Sequence, residues 1–206
     1  KNGKLVITDQ YDETPKKITF SKVNLGGEEI AGAEIEIYAG DKVTGTPVEK
    51  WTSEAGKSKE LTLAPGKYVF HEVAAPNGYV AVTDITFQVN YDGTVTVLDA
   101  QSNTVEYKNG KLVITDQYDE TPKKVTFSKV NLGGEEIAGA EIEIYAGDTV
   151  SGMPVEKWTS EAGKSKELTL APGKYVFHEV AAPNGYVAVT DITFQVNYDG
   201  TVTVLD

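Results

Sequence analysis

The sequence predicts an all-β fold: two Ig-like β-sandwich domains in tandem. Three observations carry this. Apolar and polar residues alternate with a period of two along most of the chain, and helical periodicity is nearly absent. Gly and Pro punctuate the alternating runs at short, regular intervals, as in sandwiches. Finally, residues 1–99 return at 108–206 with four differences, Ile18/Val125, Lys42/Thr149, Thr44/Ser151 and Thr46/Met153. An offset of 107 residues exceeds any solenoid repeat and is large enough for a domain with its own core.

Taken in order, strands are predicted at 4–9, 17–23, 33–38, 48–52, 59–63, 67–73, 84–90 and 94–98, and again 107 residues later. Gly26-Gly27 separates the second from the third, and Pro65-Gly66 separates 59–63 from 67–73. Ala75-Pro76-Asn77-Gly78 makes a longer turn. Asp92-Gly93 between two alternating runs signals a tight hairpin. The polar stretch 99–107, DAQSNTVEY, reads as a mobile loop before the closing strand at 111–116. Tyr118-Asp119-Glu120-Thr121-Pro122 reads as a short linker, stiffened by Pro122, between domains strung end to end. The frame of the repeat assigns 1–11 as a closing strand belonging to a preceding or neighbouring repeat. It assigns 12–118 as a complete domain and 119–206 as a second domain without its own closing strand. Lys1 is not a natural start, so the chain reads as an internal fragment.

Composition narrows function. A net charge of −12 disfavours nucleic acid and anionic membranes as partners, because both need a basic footprint. No apolar run approaches the ~18 residues of a membrane span. There is no cysteine, which removes disulfides, thiolate catalysis and Cys-based zinc sites. His71 and His178 are the only histidines and read as satisfied or solvent-facing side chains. Asp12, Glu13 and Asp92 read as solvated loop carboxylates; no EF-hand spacing exists, and no metal or cofactor is expected. Trp51 and Trp158 read as sandwich core. No P-loop, dinucleotide fingerprint or Ser/His/Asp set is present.

Alternation places one ionisable group on the apolar face of each of three strands. Lys22 shares a face with Ile18 and Phe20, and Glu72 with Tyr68 and Phe70. Asp116 shares one with Leu112 and Ile114, as Asp9 does with Leu5 and Ile7. The second copy repeats the first two as Lys129 and Glu179. Three readings are open. Each group sits at a strand end and reaches water; or the three form a buried salt-bridge cluster; or burial favours the neutral forms, so that an amine nucleophile faces a carboxylic acid.

The segments ITFSKVNLGGEEIAGAEIEIY, LTLAPGKYVFHEVAAPNGY and KLVITDQYD, in that order, resemble the CnaB-type domains of Gram-positive surface proteins and pilins. Within that group the chain resembles most closely the member from which split tag–catcher reagents were made. The resemblance spans the full repeat. It implies a prealbumin-like β-sandwich in which a first-strand Lys forms an isopeptide bond with an Asn or Asp of the last strand, assisted by a Glu. On this chain it implies Lys22 to Asp116 with Glu72 assisting, and Lys129 to Asp9 of a neighbouring chain with Glu179 assisting. Asp in place of the commoner Asn implies that water leaves, not ammonia. The resemblance further implies a structural stalk module of a cell-wall-anchored extracellular adhesin or pilus-like protein, its anchor outside these residues. The chain would not be an enzyme in the ordinary sense, since bond formation is single-turnover and intramolecular. Its expected partners are adjacent repeats, with head-to-tail self-assembly through residues 1–11. The alternatives are a ligand-binding adhesin module that contacts host matrix, and an engineered tag–catcher polymer.

Overall fold

The computed structural model describes residues 3, 5–99 and 104–206. Contacts divide the chain into two compact units, Lys1–Gln117 and Tyr118–Asp206. No helix is present among the described residues.

Unit 1 is a two-sheet sandwich. One sheet runs β4 (Lys59–Leu63), β1 (Lys16–Val23), β10 (Lys111–Thr115), β9 (Val105–Lys108). The other runs β3 (Glu49–Thr52), β2 (Glu34–Ala39), β5 (Gly66–Ala74), β7 (Ile85–Val89), β8 (Val95–Val97). Between β5 and β7 lies the short β6 (Tyr79–Val80). The first and last long strands, β1 and β10, are parallel neighbours, with Phe20 opposite Leu112 and Lys22 opposite Ile114. A parallel pair needs a long crossover, and here the whole sandwich serves as that crossover. Period-two alternation sends Ile18 and Phe20 of β1, Leu112 and Ile114 of β10, and Ile35, Ile37, Phe70 and Phe87 of the facing sheet into one core. Each such side chain contributes about 1.5–3 kcal/mol on full burial. Trp51 is partly buried against this core, its ring 5.7 Å from Phe20 and 6.3 Å from Phe70.

Two turns fix the register. Gly93 takes φ 85° and its N–H donates to the carbonyl of Asn90, while Asp92 Oδ1 accepts from Thr94 N–H at 2.9 Å. Asp-Gly therefore closes the β7–β8 hairpin, through a loop longer than two residues. Asn109 (φ 52°) and Gly110 (φ 76°) join β9 to β10 with both residues left-handed, the geometry of a type I′ turn.

Unit 2 repeats most of this after β11 (Gln117–Tyr118). Its larger sheet is β14 (Glu156–Thr159), β13 (Glu141–Ala146), β16 (Gly173–Ala181), β17 (Ile192–Val196), β18 (Val202–Val204). Its smaller sheet has two strands, β12 (Lys123–Phe127) and β15 (Lys166–Leu170). Among the described residues no counterpart of β10 pairs with β12. β12 is consequently three residues shorter than β1, and Val130 is 43% exposed where Val23 is 5% exposed.

Two expectations are corrected. Residues 4–9 were expected as a strand, yet 5–9 pair with nothing, and Leu5 and Ile7 are 84% and 79% exposed. A lone extended segment has no ladder and no core face to hold it. The stretch 99–107 was expected to be loop throughout, but Val105–Lys108 is β9, its Val105 and Tyr107 packed on the core. Of the expected mobile loop, residues 100–103 lie outside the described residues.

Candidate functional site

The three ionisable groups of unit 1 come together. β1 and β10 lie side by side in one sheet, and β5 faces them from the other. Lys22, Glu72 and Asp116 are all buried. Lys22 Nζ donates to Glu72 Oε2 at 2.9 Å and to Asp116 Oδ1. It also stands 5.9 Å from the centre of the Phe70 ring. Of the three sequence readings, the structure excludes the one that sends these side chains to water.

Local chemistry pins each member. Asp116 N–H donates to Val23 O at 2.9 Å, continuing the parallel ladder one residue past β10. Glu72 Oε2 also accepts from Val82 N–H at 2.7 Å. Lys22 is steadied by a residue the sequence did not single out: Glu29 Oε2 accepts from Lys22 N–H at 3.0 Å, and its Oε1 accepts from Ser21 Oγ. The signal available for Glu29 was only its place seven residues after the lysine, beyond the Gly26-Gly27 turn.

Burial pushes the Asp116 carboxyl up to about 6, although the Lys22 ammonium pulls it down; Glu72 adds a smaller upward push. Glu72 Oε1 and Asp116 Oδ2 are buried without a hydrogen-bond partner. A buried carboxylate pair with orphan oxygens is costly, and a proton on one of them relieves that cost.

Unit 2 holds two of the three groups. Lys129 Nζ lies 3.2 Å from each Glu179 oxygen, with hydrogen-bond geometry to Oε2 alone. Val189 N–H donates to Glu179 Oε2 at 2.7 Å, and Glu136 Oε2 accepts from Lys129 N–H at 3.0 Å. The Lys129 side chain is 17% exposed where that of Lys22 is 4% exposed. Asp9 is exposed and forms part of neither cluster.

The remaining sequence candidates are accounted for. His71 Nδ1 meets Asp84 Oδ1 at 2.7 Å, and His178 meets Asp191 at 2.6 Å. The Asp12 carboxylate accepts from Thr14 and Lys16, and the Lys16 ammonium with the Thr14 groups holds it well below the usual range. Among the described residues no three His, Asp or Glu side chains converge as metal ligands.

The family model described as SpaA, prealbumin-like fold domain, matches residues 16–104 and 123–206. The chain belongs to that family. Each unit thus carries one prealbumin-like fold domain, and both matched spans leave out β10 and Asp116. No curated protein sequence matches the chain. Among solved structures, the C-terminal fragment of the pilus adhesin SpaC from Lactobacillus rhamnosus GG is 22% identical, with 95% of this chain and 87% of that one covered and a TM-score of 0.38. The shaft pilin SpaA from the same organism is 16% identical over 91% of this chain and 95% of that one, TM-score 0.40. A streptococcal ancillary pilin is 18% identical over 93% of this chain and 61% of its own, TM-score 0.42. The chain spans 27% of a longer SpaC structure.

Proposed function

We propose that this chain is a structural repeat module of a Gram-positive surface stalk, of pilus or adhesin type. In this reading unit 1 locks itself by an isopeptide bond between Lys22 and Asp116. The observation that carries it is the buried contact of one amine with two carboxyl groups across the first and last strands. Two charges in a core are costly, and condensation removes both. Proton transfer within the pair gives a neutral Lys22 amine and an Asp116 carboxylic acid. Nζ attacks Cγ, the Nζ–Cγ bond forms, and one Cγ–O bond breaks. Glu72 takes a proton from the nitrogen and returns it to the departing oxygen, which leaves as water. The product is a neutral amide.

The bond would close a loop spanning 94 residue positions. By chain-entropy reasoning that is about 4–5 kcal/mol of stability, in a chain with no cysteine to do the same. Tandem copies nearly identical over their whole length fit a spacer, which needs length, better than a ligand site, which needs one good copy. Anchoring to the cell wall belongs to the same proposal.

Intact mass in denaturant tests it. The expected unit 1 product is one water lighter than the sequence. Glu72→Gln and Lys22→Ala are expected to stay at full mass while retaining a β-sheet spectrum. A folded wild-type chain at full mass sinks the reading.

A further inference from the structure

Glu72 and His71 are neighbours on β5, and alternation sends them to opposite faces. Glu72 is buried in the sandwich, while His71 is partly exposed on the outer face. One short segment touches both. Residues 81–84, between β6 and β7, belong to no strand. On the inside, Val82 N–H donates to Glu72 Oε2 at 2.7 Å, and the Val82 side chain packs partly buried on the core. On the outside, Asp84 Oδ1 meets His71 Nδ1 at 2.7 Å. The segment thus grips consecutive residues of β5 from its two faces.

The outer bond takes over where the sheet stops. The β5–β7 ladder ends with Phe70 opposite Ile85, one residue short of His71 and Asp84. Their side chains therefore add one more cross-strand pair where no ladder bond holds the chain. A carboxylate only accepts, so Nδ1 carries the proton. On the other side, Glu36 of β2 lies opposite His71. Tyr38 meets the imidazole edge to face at 6.2 Å, and its hydroxyl donates to Glu36. The ring is thereby set with Nδ1 towards Asp84.

Unit 2 repeats the arrangement. Val189 N–H donates to Glu179 Oε2 at 2.7 Å, His178 Nδ1 meets Asp191 Oδ1 at 2.6 Å, and Tyr145 lies 6.3 Å from His178. Lys129 is more exposed than Lys22, yet the grip on the glutamate is the same. It is set by the strand and its own loop, not by what surrounds the lysine.

We propose that His71 and Asp84 are positioning residues for the condensation of Lys22 with Asp116: bonded outside the sheet, they hold residues 81–84 closed and so keep the Val82 N–H on Glu72. The effect on condensation rests on the reading of unit 1; the hold on Val82 does not. Neither side chain touches the reacting atoms. Their influence passes through one backbone amide. Glu72 Oε2 accepts from Lys22 Nζ as well as from Val82 N–H, while Oε1 has no partner. The amide therefore fixes which oxygen faces the amine. With residues 81–84 lifted, the carboxylate loses its fixed donor and is free to turn about its last torsion, which is soft. A displacement of ~1 Å in a reacting constellation costs up to about 100-fold in rate. A solvent-exposed His–Asp pair is a weak tie, so its loss loosens the segment without unfolding it.

Amide exchange and timed intact mass, both on the full-length chain, test the two layers. Exchange is read in an Asp116→Ala background, which cannot condense in unit 1. Ala188-Val189-Thr190 repeats Ala81-Val82-Thr83, so the Val189 amide is an internal reference. Adding His71→Ala or Asp84→Ala is expected to speed exchange of the Val82 amide about fivefold and to leave Val189 unchanged. His71→Asn, which keeps an N–H near the place of Nδ1, is expected to return Val82 to within about twofold of the background rate. No rise at Val82, or an equal rise at Val189, overturns the latch. A rise that His71→Asn leaves in place marks lost packing instead of a lost bond and overturns it too.

For condensation, chains with Asp116 intact are collected unfolded at full mass, refolded by rapid dilution and sampled by intact mass, with the return of the β-sheet spectrum followed in parallel. Measured against that return, loss of the unit 1 water is expected to slow at least about threefold in His71→Ala and Asp84→Ala, and to recover in His71→Asn. Water lost at the wild-type rate from both alanine variants overturns the positioning role and leaves the proposed function standing. If wild type itself loses no water, the proposed function and the positioning role fall together, and the exchange rates alone decide whether the latch holds Val82.

Discussion

Asp116 is the residue on which unit 1 turns, because its environment makes the charged form costly before any bond exists. A variant that cannot condense exposes this. In Lys22→Met the amine is gone and burial, the largest cause of the raised carboxyl pKa, remains. Asp116 then binds its proton more tightly folded than unfolded, where a carboxyl titrates near 3.9. Its contribution to stability is present below pH ~4 and is lost as pH rises through the folded-state value, which stands at about 6 beside Lys22 and moves further up once the ammonium that lowers it is gone. Chemical denaturation of Lys22→Met is expected to show stability falling from pH 4 to pH 7, by at least about 2 kcal/mol relative to Lys22→Met/Asp116→Asn. A wild type condensed as proposed would carry no such slope from this site, since an amide does not titrate there. Glu29 holds the backbone of the strand end at Lys22 N–H, so Glu29→Gln is a positioning change, distinct from loss of Glu72, the group that the proposed condensation uses to carry the proton.

At the scale of the element, β1 and β12 are one sequence, apart from Ile18/Val125, in two circumstances. β1 lies between β4 and β10, while among the described residues β12 pairs only with β15. Amide hydrogen exchange should register this directly. Amides of β12 and of Lys129–Val130 are expected to exchange at least tenfold faster than their β1 counterparts. Equal rates in the two strands would contradict the open edge. The same comparison explains what the sequence made legible. Alternation located the strands with a fixed partner and put Lys22, Glu72 and Asp116 on apolar faces, because a two-residue period needs no tertiary knowledge. It misjudged 4–9, whose pattern is that of β10 but which here has nothing to pair with. It also passed over β9, although Asn109-Gly110 between two alternating runs was a hairpin signal in plain sight. Glu29 and the Val82 amide escaped because their partners are a backbone N–H and a side chain brought close by folding, which no spacing announces.

At the scale of the whole molecule, the parallel placement of β1 beside β10 decides how a chain of such units carries load. In a stalk of the proposed kind, tension would enter unit 1 at the Lys16 end of β1 and leave just after Asp116, so the two strands would be pulled in opposite senses along a shared ladder. Hydrogen bonds loaded in this way resist together. If Lys22 and Asp116 are joined, the pull crosses from Lys16–Lys22, already extended, straight to the exit. The 94 positions from Lys22 to Asp116 never come under tension. Stretching single molecules of wild type is then expected to release no length from unit 1. Glu72→Gln should release roughly 300 Å in one step, and a wild-type step of that size would show the tie to be missing. If every unit is tied in this way, a string of them would be an inextensible tether, whose reach would be set by how many copies it contains and hardly at all by how hard it is pulled.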